Sequence, residues 1–463
     1  MPALKSCTQV IQNAIKRQNK LRMRKHLNAD TLYATIRKDF AAVADHRARN
    51  AKIPLADALM SGFAMFALKD ESLLSFDDRR CTQPESLHAV FGVGVIPCDS
   101  QMRTILDEIA VEHLRRPFRS IFHQLQRGKA LSQMTWLDGH LLPALDGTGF
   151  YSSEELGSDY CLTKKKRNGN IVYHLQMLAG AFVHPERKEV IPVCPEMIRR
   201  QDGSRKNDCE RNAAKRFLAD LRREHPHLKI IVTEDALSAN APHIEELARH
   251  YLRYILSVKP GDHAFLFDHV DAADKNGQVT NLVLADPKRA KRSHCFRFCN
   301  GVPLNQASQE RLKVNFLEYW ETETQDDGRE RVVNRFSWVT DFLITADNVY
   351  DIMRGGRARW RIENETFNTL KNQGYNLGHN YGLGKKHLSG VFTLLMMLAF
   401  LVDQVQQLCC PVFQAARQRF GSKNRLWESI RGYFTHFQVQ SMEDILRAIA
   451  YRIPGQQPLL SPT

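Results

Sequence analysis

The ten cysteines of this 463-residue chain form no pattern. There is no Cys-x-x-Cys pair and no ladder of His and Cys at zinc spacing. Cys295 and Cys299 stand four apart, Cys409 and Cys410 are adjacent, and neither pair has a partner set. That argues against structural zinc and a disulfide framework, and it leads us to expect a reduced, cytoplasmic protein. The first twenty or so residues are polar and lack the apolar stretch of a secretory signal. Long hydrophobic runs are missing too. The two strongest, 56–68 and 391–402, fall short of the roughly twenty residues a membrane helix needs, so both read as buried helices. Internal repeats and low-complexity segments are absent. Acidic residues are in deficit, 51 against 65 Lys and Arg, a formal charge of +14 that points to a polyanionic partner or an acidic membrane surface. What is present is a 43% hydrophobic content over a length sufficient for two or three domains, each with its own core.

Residues 1–130 read as helical. Asn28 or Asp30 can cap a helix carrying Leu32, Tyr33, Ile36 and Phe40; 53–68 gives a buried helix; Ser100 can cap a third through Met102, Ile105 and Leu106; 117–126 gives a fourth. Lys16, Arg17, Lys20, Arg22, Arg24 and Lys25 form a basic run with no acid among them. It is either a solvated face or a phosphate-contacting arm. A DNA-gripping helical domain is expected here, without a helix-turn-helix signature.

From about residue 131 short apolar runs separated by turns take over. Strands are expected at 135–146, 171–182, 189–195, 228–235 and 254–258, with helices over 207–223 and near 243–250. Three strands, helix, strand, helix, strand is the order of an RNase H-like α/β layer, whose first and fourth strands are neighbours. The expected fold is α/β: an RNase H-like mixed sheet with flanking helices, occupying 131–263 and 346–410. A β-rich insertion at 264–345 interrupts it, being too long and too strand-rich for a plain connection. The helical domain 1–130 precedes it and a helical tail, 411–463, follows.

The chemistry rests on three acids. The strand ending Leu145-Asp146 and the strand ending Glu234-Asp235 would deliver Asp146 and Asp235 side by side if the two strands are neighbours. Carboxylates that close repel unless a divalent cation holds them, and oxygen-only ligands suit Mg²⁺ or Mn²⁺. The third acid lies in the stretch 359–371, read as one amphipathic helix. On a wheel of about 100° per residue, Trp360, Phe367 and Leu370 fall near Glu363, putting that acid on an apolar, core-facing stripe with Arg359 in i,i+4 reach. The alternative is a structural Arg–Glu pair. Glu365, about 200° away, should face solvent. Asp138 and Glu234 replace Asp146 and Asp235 if the strand register is off. Three carboxylates suit a two-metal site, one ion activating the nucleophile and the other stabilising the leaving oxygen.

Leu145-Asp146-Gly147-Thr148, Val232-Thr233-Glu234-Asp235 and above all Arg359-Trp360-Arg361-Ile362-Glu363 resemble the motifs of bacterial insertion-sequence transposases of the DDE class, over roughly residues 135–400. The family's third-acid helix has Tyr, two residues, Arg, three residues, Glu, six residues, Lys. Here the Tyr position is Gly356, and the Lys position is Leu370, with Lys371 one residue late. The resemblance implies strand cleavage at element ends and strand transfer into target DNA, with Asp146, Asp235 and Glu363 ligating two Mg²⁺ or Mn²⁺ ions. It implies Arg359 and Lys371 holding phosphates, and Trp338 in the insertion stacking on a displaced base, with Trp320 its competitor. Trp338 is otherwise a packing residue of the small β-layer. Lys288, Arg289, Lys291 and Arg292 are expected along a DNA path or in a solvated loop. Lys385 and Lys386, in the Gly-, Asn- and His-rich loop 374–390, suit phosphate contacts or serve a plain connector. The partners would be terminal inverted repeats, target DNA and a second copy at synapsis, in a bacterial, nucleoid-associated setting, with the tail 413–451 a candidate dimerisation or DNA-contact region. Two other readings stand beside this one: a domesticated or inactive DNA-binding derivative, and an RNase H-like nuclease.

Overall fold

The computed structural model describes residues 24–45, 47–48, 50–200 and 209–451. Lys16, Arg17, Lys20 and Arg22 therefore lie outside the described residues, as does the chain end at 452–463. The N-terminal part is helical: α1 (Ala29–Ala41), α2 (Leu55–Leu68), α3 (Leu73–Thr82), α4 (Pro84–Phe91), α5 (Asp99–Asp107) and α6 (Arg115–Arg127). Asn28 caps α1, its side chain accepting from the Thr31 N–H. The third expected helix begins after Cys98 rather than Ser100.

Twelve strands then form one sheet. β1 (Thr135–Trp136) and β2 (His140–Ser153) are followed by β3 (Leu162–Lys165), β4 (Ile171–His184), β5 (Arg187–Pro192) and β6 (Glu196–Ile198). Helix α7 (Glu210–Glu224) leads to β7 (Ile231–Glu234), α8 (Ala241–Arg249), β8 (Arg253–Ser257) and α9 (Ala264–Lys275). The chain continues through β9 (Thr280–Ala285), β10 (Arg292–Pro303), β11 (Lys313–Thr324) and β12 (Glu330–Thr340). The order is β3-β4-β2-β7-β8-β12-β11-β10-β9. β2 and β7 are parallel neighbours, as are β7 and β8, so the first and fourth expected strands do lie side by side.

The strand-rich excursion is hydrogen-bonded into the same sheet, because β12 pairs antiparallel with β8 through Trp338↔Ser257, Val339↔Leu256 and Thr340↔Ile255. Apolar residues at those positions are buried, so the central strands need cover on both faces. On β8 that cover comes from α8 and from α10 (Val349–Arg357), while α7 packs on β4 and β6.

After the sheet come α10 (Val349–Arg357), a wide π-helical turn (Ile362–Phe367) and α11 (Asn368–Asn372). The next helix, α12 (Leu388–Cys409), exceeds its sequence expectation. It is 22 residues long and its most apolar 18-residue window has a mean hydropathy of 1.9, enough to cross a membrane by length and composition, yet that window is wholly buried inside the protein. It packs on α2, α5, α6 and β5 and ties the helical part to the sheet. α13 (Pro411–Arg417), α14 (Lys423–His436) and α15 (Met442–Tyr451) fold back onto the N-terminal helices. There the Asp30 carboxylate accepts from the Met442 and Glu443 N–H groups at 2.7 and 3.1 Å.

Candidate functional site

The site is built on a register. Ala144 of β2 pairs with Thr233 of β7 in a parallel ladder. Side chains alternate along a strand, so two residues on, Asp146 and Asp235 emerge level and toward the same face. Asp146 is not a strand end, contrary to expectation. β7 stops at Glu234, but the antiparallel partner β4 stays paired with β2 from Leu142↔Val183 to Ser153↔Tyr173. Small residues after the acid (Gly147, Thr148, Gly149) let the strand run on.

Glu363 arrives from above on the π turn. The Arg359 guanidinium lies between it and Asp146, with Nη1 3.0 Å from Glu363 Oε1 and 3.5 Å from Asp146 Oδ2. Arg359 is largely buried, its side chain 11% exposed, whereas Glu363 keeps 38% of its side chain in solvent. Burial pushes the Asp146 carboxyl up to about 6; Arg359 opposes this, and the charges of Glu363 and Asp235 add to it. Asp235 is preset by its own loop, accepting from the Leu237 N–H at 3.0 Å.

The two alternate acids fall away. Glu234 is buried and hydrogen-bonded to His243 Nε2, and by alternation it faces away from Asp235. Asp138 lies in the β1–β2 turn, at the far end of β2. A carboxylate that spacing did not single out is Glu210, in the first turn of α7. Its Oε1 lies 2.1 Å from where a Cβ on Gly147 would stand, so only glycine leaves room for it there. Burial and the neighbouring Asp235 charge raise its pKa.

Oxygen-only donors of this kind have the chemistry for a hard divalent cation, and the raised Asp146 is the strain such a cation would relieve. Among the described residues, no three acidic, His or Cys side chains already converge on one point. Arg359 supplies the positive charge between Asp146 and Glu363.

The stretch around Glu363 departs from an ideal wheel. Between Glu363 and Asn368 the backbone bond spans five residues, the Asn368 N–H donating to the Glu363 carbonyl. A straight α-helix would leave Lys371 about 80° off Glu363; a π turn absorbs one extra residue, taking back about 100°, and returns Lys371 to within about 20°. The one-residue lateness of Lys371 is thus offset by the backbone. Lys371 is exposed and makes no ion pair among the described residues. The same turn changes which acid is covered: Glu365, expected in solvent, is half-buried and lies 3.8 Å from Arg361.

Two tryptophans exchange their expected places. Trp338 is 2% exposed and stacks on Phe336, ring centroids 5.9 Å apart at 22°, so it is a packing residue with no face free for a base. Trp360, expected on the buried stripe, is 49% exposed. It lines a cleft of about 650 Å³ between α10 and the β9–β10 turn, together with Lys288, Arg354, Arg357 and Arg361. Of the basic run near 290, Arg289 and Arg292 are held by Glu321 and Lys291 by Asp326. Lys288 stays without a carboxylate partner among the described residues.

The loop before α12 is gripped by one side chain. The Asp107 carboxylate accepts from the N–H groups of Lys385, Lys386, His387 and Leu388 at 2.8 to 3.0 Å. Lys386 pairs with Glu108 at 2.6 Å, leaving Lys385 the unpaired cation of the two.

No protein-family model matches the sequence. No curated protein matches it either. Among solved structures the chain is similar to a piggyBac transposase in a synaptic complex with hairpin DNA, at 9% identity and a TM-score of 0.38, over 94% of this chain and 82% of that one. A likeness of that degree carries no argument about activity.

Proposed function

We propose that this chain is a DNA transposase that cuts at the ends of its element and joins the freed 3′ ends to target DNA. The observation that carries the reading is the Ala144↔Thr233 register, which sets Asp146 and Asp235 level on adjacent parallel strands with Glu363 linked to Asp146 through Arg359. An RNase H-like core is supported by the same strand order.

Asp146, Asp235 and Glu363 are the residues that would hold Mg²⁺ or Mn²⁺. A bound pair of ions would activate the attacking oxygen and stabilise the leaving one. The chain's own groups do the positioning. Arg359 is within reach of a phosphate at the acids, and Lys371 stands on the same side of the helix about two turns beyond Glu363. In the first step a water oxygen bonds to phosphorus as the P–O3′ bond breaks; in the second, the freed 3′-hydroxyl oxygen bonds to a target phosphorus as that phosphorus loses its own bond to O3′, which leaves as a 3′-hydroxyl. An aromatic surface open to an unpaired base is Trp360, in a cleft whose lining carries Lys288, Arg354, Arg357 and Arg361 beside Asp286 and Glu365. Two ends held together call for a second copy of the chain at synapsis.

The test is Mg²⁺-dependent cleavage of duplex DNA carrying the inverted repeats that flank the gene. Cleavage lost in Asp146→Asn, Asp235→Asn and Glu363→Gln supports the reading; cleavage intact in all three sinks it. A second reading, specific DNA binding without cutting, is favoured by the Arg359 guanidinium standing between two of the acids. Repeat-specific binding with no cleavage at any Mg²⁺ or Mn²⁺ concentration would select it. Cleavage of any nucleic acid regardless of its ends would select a nuclease.

A further inference from the structure

β2 and β4 run on past the end of β7, with β6 beside β4 over the first few residues, from Leu178↔Glu196 to Gln176↔Ile198. Beyond Asp146↔Ala179 they stay paired to Ser153↔Tyr173, with a bulge between Gly149 and Tyr151. There β3 joins the outer edge of β4, from Leu162↔His174 to Lys165↔Ile171. The result is a three-stranded arm projecting past the end of β7, the end of the sheet at which the acids meet. From Ala179, opposite Asp146, to Ile171 the arm extends roughly 25 Å at about 3.3 Å per residue. That is the length of about seven base pairs of duplex.

The arm ends in Lys164, Lys165, Lys166 and Arg167, all exposed. Lys166 is held by Glu154, which also accepts from Asn170 at 3.2 Å. Lys164, Lys165 and Arg167 have no carboxylate partner among the described residues. Edge strands carry lysines to prevent pairing with other chains, but that role does not account for Arg167 in the turn.

The arm is also fastened at its base. Leu162 and Cys161 are buried, the Tyr151 hydroxyl donates to the Leu156 carbonyl at 2.7 Å, and the Tyr160 hydroxyl donates to the Leu383 carbonyl. That last bond brings the base of the arm to the loop that carries Lys385. A cationic arm held in place beside the acids is what a stiff polyanion with regularly spaced phosphates would use.

We propose that this β-arm lies along the phosphate backbone of duplex DNA flanking the cleavage position, with Lys164, Lys165 and Arg167 making the contacts. The proposal rests on the transposase reading for its partner. Its contribution is positioning, without sequence readout, so its loss should weaken binding to all duplexes alike.

The experiment compares the full chain with the triple variant Lys164→Ala, Lys165→Ala, Arg167→Ala. Binding to a random-sequence duplex is followed by fluorescence anisotropy across a salt series. Each lost phosphate contact should flatten the slope of log K against log salt by about 0.9, so a drop of about 2 to 3 is expected. The thermal midpoint should be unchanged, and Lys164→Arg with Lys165→Arg should keep the full slope. An unchanged slope and affinity in the alanine variant, with the wild type cleaving repeat ends, overturns the arm and leaves the transposase reading standing. A wild-type chain that neither binds duplex DNA nor cleaves it overturns both. Loss of binding to phosphatidylserine vesicles with DNA binding intact would reassign the arm to a membrane surface and also overturns the proposal.

Discussion

Gly356 and Trp338 occupy one space. A Cβ built on Gly356 would stand 2.5 Å from Trp338 Nε1 and 2.6 Å from Cε2, so the indole fills the place a side chain at 356 would take. The motif resembled in the sequence has Tyr at the position of Gly356; here the indole of Trp338 on β12 takes that space instead. Gly356→Ala should cost about 1–3 kcal/mol by overpacking, and Trp338→Ala about 3–5 kcal/mol by cavity formation. The double variant should be less destabilised than the sum, because removing the indole frees the space the added methyl needs. Urea unfolding of the four proteins checks this, and strict additivity would mean the two residues do not share the space.

The acids should respond to a divalent ion. Asp146 is raised by burial and by two neighbouring carboxylates, a state a cation relieves. Millimolar Mn²⁺ should therefore raise the thermal midpoint of the wild type, by linkage, and not that of Asp146→Asn. Cleavage should fall by more than about 100-fold in that variant, since losing a ligand costs more than losing its supporting contact. A midpoint that ignores Mn²⁺ in the wild type would assign Arg359 as the permanent counter-ion.

The π turn makes its own prediction. Deleting Asn364 should convert Ile362–Phe367 to ordinary α-helix and keep Lys371, then seven residues after Glu363, within about 20° of it. Thermal stability should hold or rise, and cleavage should stay near the wild-type level, well above that of Lys371→Ala. The lysine variant itself should lower the salt slope of DNA binding by about 1. If the deletion lowers cleavage to the level of Lys371→Ala, the π turn is not merely absorbing the extra residue before Lys371.

Acid sensitivity should trace in part to His225. Its ring lies 4.2 Å from the Phe122 ring, and burial, with the His123, Arg119 and Arg222 charges adding, pulls its pKa down to about 4. The unfolded chain, with a value near 6.5, binds the proton first as pH falls. The stability it contributes is therefore full above about 6.5, lost between about 6.5 and 4, and amounts to roughly 3 kcal/mol. His225→Phe should flatten the fall in stability across that window. An equally steep fall in the variant would place the effect on other groups.

Much of the site was legible in the residue order. The apolar run before Asp146 and the one before Asp235 read as buried strands, and a period of two then makes their acids share a face once the strands are neighbours. Arg359 and Glu363 are four apart on a helix and do meet. An ideal wheel does not hold over 359–371. It puts Trp360 among the buried residues and Glu365 in solvent, and leaves Lys371 off the face. Asp146 looks like a strand end because small residues, Gly147-Thr148-Gly149, follow it, whereas β4 continues the pairing through them.

The residue order by itself determined the basic charge, the buried strands with their acids, and the helical spacing of Arg359 to Glu363, because composition and short-range periodicity act through neighbours along the chain. Only the tertiary structure decided which tryptophan is covered, where β2 ends, and that the helix widens by one residue after Glu363. Those depend on groups distant in sequence. β12 brings Trp338 against Gly356, β4 carries β2 past its acid, and burial of Ile362, Thr366 and Phe367 against the sheet accompanies the π turn.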